Sequence, residues 1–188
     1  MTRILTLSSA LLLSTMLTLP LAGCLEDAGD MHAGGAHGAH GGAAVKTPLL
    51  DTLGTHSHKI TTSSAEAQAY FDQGLRLSYA FNHDEARRAF RMAQKLDPDC
   101  AMCYWGEALA LGPNINVTSN GKAVVTEADS KTAYAAIQKA ISLKGGASEK
   151  ERDYIDALAT RYSSDPTAPR EPLDLAYVDA MRALSAKY

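Results

Sequence analysis

The chain has 188 residues, a formal net charge of −3 and a pI near 6.0. Lys and Arg are interleaved with Asp and Glu, which removes the electrostatic footprint of a nucleic-acid binder. Aromatics are 6% of the chain and alternating β-branched runs are missing, which excludes an all-β sandwich or barrel. Three cysteines are too few for a disulfide-built scaffold, so the body is expected to be all-α.

Met1-Thr2-Arg3 supplies a positive start, Ile4 to Leu19 an uncharged Leu-rich run, and Leu21-Ala22-Gly23-Cys24 an ending of small residues before a cysteine. Thr6, Ser8, Ser9, Ser14, Thr15 and Pro20 interrupt the run, whereas a spanning helix needs about 20 apolar residues. Residues 1–23 therefore read as an export signal. The tetrapeptide resembles the lipobox of bacterial lipoprotein signals. That resemblance implies cleavage before Cys24, a diacylglyceryl group on its sulfur and an acyl chain such as palmitate on its new amino group. Leu25 stands where an inner-membrane retention signal has Asp, which implies anchoring at the periplasm-facing leaflet of the outer membrane. Several acyl chains hold a protein far more firmly than one.

From Cys24 to Thr62 the composition shifts to Gly, Ala, His and Thr without helical or strand period, as expected for a flexible tether. A chain of that length reaches roughly 35 Å. His32, His37, His40, His56 and His58 all fall in it. Neutral imidazole suits Cu, Zn and Ni, so a metal-handling tether is an alternative to a merely solubilising one. The principal reading has no cofactor.

Ser63-Ser64-Ala65-Glu66 fits a capping box and starts a helix carrying Tyr70, Phe71, Gly74, Leu75, Leu77 and Phe81 at helical spacing. Asn82-His83-Asp84-Glu85 starts a second, with the stripe Ala86, Ala89, Phe90, Ala93 and Leu96 and a stop at Pro98. A second pair follows, with Tyr104, Ala108 and Leu111, then Ala133, Ile137 and Ala140, and Gly145-Gly146 as the stop. Leu111 and Ala133 are 22 positions apart against 9 between Leu77 and Ala86, so 13 residues loop out. Ser148-Glu149-Lys150-Glu151 opens a third pair through Tyr154, Ile155, Leu158, Ala159 and Tyr162. Its second helix carries Leu173, Ala176, Tyr177, Ala180, Met181 and Leu184.

The stretch from Ala67 to Pro98 resembles a tetratricopeptide repeat, with Tyr70, Gly74, Leu77, Ala86, Phe90, Ala93 and Pro98 at the matching spacings. Gln73 departs from it, standing where Leu is usual. The segment from Tyr70 to Ala86, with Asp97 to Met102 and Leu109 to Asn116, is further similar to a group of exported bacterial tetratricopeptide proteins. The resemblance covers about Thr62 to Tyr188 and implies a right-handed α-solenoid of three helix pairs over 63–188. It also implies a concave surface for an unidentified protein or peptide partner, and no catalysis. Members of that group continue through further repeats, so a C-terminally truncated stack is expected.

Cys100-Ala101-Met102-Cys103 is the only close thiol pair, placed near a helix N-terminus that lowers a thiol's pKa. A thioredoxin-like enzyme presents such a pair in a βαβ frame, which is missing here, and Tyr104 stands where haem attachment needs His. The pair reads as buried inert thiols or a local disulfide, with thiol-redox chemistry as a second alternative. His83 reads as a solvent-facing turn residue, and Asp72, Asp84 and Glu85 as solvated faces and caps. Asn114 and Asn116, opening the insertion, are the candidates for lining the groove.

Overall fold

The computed structural model describes residues 47–114 and 124–188, with the backbone of 118–119 and 122–123. The export signal, Cys24, His32, His37, His40 and Asn116 lie outside the described residues. Among the described residues six α-helices follow in order: α1 (Ala65–Tyr79), α2 (His83–Leu96), α3 (Ala101–Leu111), α4 (Glu127–Leu143), α5 (Glu149–Ala159) and α6 (Arg170–Lys187), with a 3-10 turn at Lys144–Gly146 after α4. Between α3 and α4, Thr118–Ser119 (β1) pairs antiparallel with Lys122–Ala123 (β2), a two-rung hairpin in an otherwise all-α fold. Among the described residues no helix is long and apolar enough to cross a membrane.

Helix starts follow local hydrogen-bond chemistry. Ser148 Oγ accepts from Glu151 N while Glu151 Oε2 accepts from Ser148 N, completing the capping box expected for α5. Asn82 caps α2 by accepting from Glu85 N. The α1 cap lies one residue later than Ser63: Ser64 Oγ accepts from Ala67 N at 3.1 Å. Ser63 N instead donates to Asp97 at 3.1 Å, because the carboxylate ending α2 holds the incoming chain extended through Ser63.

The α1–α2 turn is a Schellman motif, with Asn82 N donating to Leu77 O and Phe81 N to Ser78 O. Its left-handed residue is Phe81, at φ 61°, where glycine usually stands. Phe81 and Tyr79 are 62% and 63% exposed, so an aromatic pair projects from this corner.

Each helix packs on the next, and α3 also touches α1 on one side and α5 on the other. The α2 stripe is buried as expected, with Ala86, Ala89, Phe90 and Ala93 fully enclosed. The Phe90 ring lies between the backbones of α1 and α3: a Cβ added at Gly74 would come 2.7 Å from Phe90 Cε1, and one at Gly106 would overlap the same ring. Ala133, Ile137 and Ala140 of α4 and Ile155 and Leu158 of α5 continue the core. In α6 the expected stripe is mostly half-exposed; Leu184 is buried, while Ala176 is exposed. A helix with one neighbour encloses only the line facing it. Polar contacts add to its hold, with Lys187 paired to Glu149 and Asp153 and the Arg161 guanidinium 4.9 Å from the Tyr177 ring centre.

Residues 47–62, expected within the flexible tether, lie on the helical body. Tyr70 Oη donates to Thr47 O at 2.7 Å, and Ile60 is buried in the core. The tether expectation therefore does not extend to this stretch, and the reason is a set of α1 side chains described next.

Candidate functional site

The face shared by α1, α3 and α5 carries an aromatic cleft. Phe71, Leu75 and Tyr79 stand four apart on α1, so they form one line along the helix. Met102 and Trp105 of α3 and Tyr154 of α5 complete the lining, with His58 contributed from the segment before α1. Trp105 Nε1 donates to Tyr154 O at 3.1 Å, and the two rings meet edge-on with centres 6.0 Å apart. The His58 ring lies 6.4 Å from Phe71 and 6.3 Å from Tyr154.

Residues 47–62 form a strap that straddles α1. Its first limb follows Tyr70 and Gln73: Gln73 Oε1 accepts from Leu50 N at 2.7 Å and its Nε2 donates to Pro48 O at 2.9 Å. At Gly54, φ 77°, the chain reverses, a conformation open to glycine at little cost, and Arg76 donates to Gly54 O. His56 then packs on Tyr79, with ring centres 5.7 Å apart. The second limb returns along Asp72 and Gln68. Asp72 accepts from Ser57 Oγ at 2.7 Å and His58 N at 2.9 Å, and Gln68 accepts from Ile60 N and donates to His58 O, both at 2.9 Å. The limb ends on α5 and α2: Thr61 donates through its N and Oγ1 to Glu151, and Thr62 Oγ1 to Asp97. Most of these bonds reach main-chain atoms of the strap, so α1 recognises an extended backbone more than a particular sequence.

Two carboxylates hold the final limb. Burial pushes the Glu151 carboxyl up, but donors from Thr61 and Ser148 outweigh it and leave its pKa below the ordinary value. The Thr62 hydroxyl lowers that of Asp97, with burial opposing and the Ser63 and Asp99 amides assisting. A depressed folded pKa contributes stability above the unfolded value. That stability disappears as pH falls through the folded one, so these anchors hold at neutrality and release in acid.

Several expectations change. Asp72 is a buried anchor, 7% exposed, not a solvated face. Gln73, 1% exposed, is likewise buried, and its amide satisfies the strap's backbone at Leu50 and Pro48. His83 is half-buried, both ring nitrogens enclosed without a hydrogen-bond partner; desolvation lowers its pKa, with Asp84 opposing. Asn114 is half-buried just past α3, and the aromatic cleft does not include it. His56 and His58 are placed against aromatic rings, and among the described residues no group of three His, Cys, Asp or Glu can hold a metal ion. Cys100 and Cys103 form a disulfide, both residues are buried, and Cys100 Sγ accepts from Cys103 N as the α3 cap. Burial of both sulfurs disfavours the mixed disulfide that thiol exchange requires.

A first expected result tests the strap. Gln73→Leu removes the amide that partners Leu50 N and Pro48 O and should cost about 1–3 kcal/mol where those groups stay shielded. Limited proteolysis should then cut within 47–54 while α1 stays intact. Unchanged protection there would show that Gln73 does not hold the first limb.

No family model, curated protein or solved structure matches this chain.

Proposed function

We propose that the protein is a membrane-tethered, non-catalytic scaffold whose α1, α3 and α5 face binds an extended segment of a protein partner. In this reading the three helix pairs form a right-handed tetratricopeptide-like solenoid, and Cys24 carries the lipid that anchors it to the outer membrane, facing the periplasm. The observation that supports it most is the aromatic cleft with an extended segment lying across it. Alternate helices in direct contact are what the inner side of a curved helical stack requires, and such faces bind extended peptides. The repeat spacing from Ala67 to Pro98 supports the same architecture.

A photo-reactive amino acid placed in the anchored chain at Tyr79 or Tyr154 should cross-link a partner, whereas placement at Lys95 or Lys139 on exposed positions of α2 and α4 should not. Cross-links distributed equally over both sets would refute the groove. The anchor has its own readout. Cys24→Ala should abolish incorporation of a labelled fatty acid and leave an uncleaved precursor, and label persisting in the variant would refute the lipid assignment.

A further inference from the structure

We infer that the second limb of the strap, residues 55–62, is a peptide bound in cis, and that the same face takes an extended partner segment in trans by displacing it. This rests on the proposed function and specifies how the site is regulated and what it recognises. Three observations carry it.

The bonding is of the receptor kind. His58 N and Ile60 N, two residues apart on an extended chain, donate to Asp72 and Gln68 of α1. Any extended segment offers the same donors at the same spacing. Sequence selection comes from three additional features: a ring in the slot between Phe71 and Tyr154, an aliphatic side chain two residues on at the buried Ile60 position, and hydroxyls to meet the carboxylates. The recognised chemistry is therefore Ser or Thr, an aromatic or imidazole ring, any residue, an aliphatic, then Ser or Thr.

The limb is weakly enclosed. His56, Ser57, Lys59 and Thr61 are exposed and His58 is half-buried, so Ile60 is the limb's one buried residue. Segments with few buried apolar contacts open locally at free energies far below that of global unfolding.

The vacated face demands a replacement. Asp72, Asp97 and Glu151 are all buried, and among the described residues none is in an ion pair. Donors from the strap and its junction with α1 make up much of their bonding. A carboxylate stripped of donors in a desolvated position is costly, so exchange for another donor-rich segment is favoured over simple opening. Lys59 gives the resident limb a positive charge that complements this acidic floor, and a displacing segment should share it.

The test uses the full chain and a labelled synthetic peptide of residues 55–63. By hydrogen exchange, the amides of His58, Ile60 and Thr61 should exchange at least 100-fold faster than those of Ala93 and Gly106 in the core. In fluorescence polarisation, Ile60→Asp, which removes the resident limb's one buried side chain, should bind the peptide at least tenfold more tightly than the unmodified chain. Adding Asp72→Ala should abolish that binding. Strap amides that exchange only with the core, equal peptide affinity with and without Ile60→Asp, or loss of helical structure in Ile60→Asp would each overturn the inference. Should exchange fail while cross-links still concentrate at Tyr79 and Tyr154, only the cis-peptide inference falls. If the variant captures the peptide but the membrane cross-links are equal on both faces, the exchange stands and the scaffold reading falls.

Discussion

Phe90→Ala should destabilise the helical body by about 3–5 kcal/mol in urea unfolding followed by circular dichroism, as large-to-small aromatic core changes do. That is a large fraction of the roughly 5–15 kcal/mol available to a domain. The ring is fully buried, meets Phe71 edge-on with centres 5.5 Å apart, and occupies the space between Gly74 and Gly106. Its removal takes contacts from α1, α2 and α3 together. Lys95→Ala, on the exposed side of α2, should stay within about 0.5 kcal/mol. Gly106→Ala alone should cost about 1–3 kcal/mol by overpacking. Combined with Phe90→Ala, it should cost less than the sum, since the added methyl then enters the vacated space. Additive costs would show that the ring does not sit against Gly106.

The second large effect is expected at the junction of α3 and α5. Trp105→Ala removes an indole that is nearly buried and donates to Tyr154 O, and should cost roughly 3–5 kcal/mol. Because the contact joins α5 to the earlier helices, and α6 packs on α5, the loss should be uneven. Hydrogen-exchange protection should fall first in α5 and α6 while α1 and α2 keep theirs. Trp105→Phe retains most of the packing and loses only the hydrogen bond, about 0.5–1.5 kcal/mol. A uniform loss of protection along the chain would mean that the six helices unfold as one unit.

The helices were legible because their signals are local. Asn82 and Ser148 cap with their own neighbours three residues on, Ala86, Ala89, Phe90 and Ala93 fall on one face by the 3.6-residue period alone, and Pro98 stops a helix through its own ring. The close approach around Phe90 was also legible, since Gly74 leaves room that a larger residue would fill. The α1 cap slipped by one residue because the competing acceptor, Asp97, is 34 positions away from Ser63.

The strap was not legible for the same reason. Residues 47–62 have no period, and their order comes from Gln68, Asp72, Gln73, Glu151 and Asp97, whose polar side chains read in isolation as surface. One trace was present, because Gln73 stands where the repeat that this stretch resembles would have Leu, and a polar residue at a core position asks for a partner. Composition, periodicity and caps thus determined an all-α body and the place of nearly every helix, since each depends on residues within a turn or two. Only the tertiary structure decided which polar groups lie inside, that residues 47–62 pack on the helices and what covers the aromatic cleft. Those outcomes depend on hydrogen bonds between residues up to 90 positions apart, as between Thr61 and Glu151, and form only when the helices have brought them together.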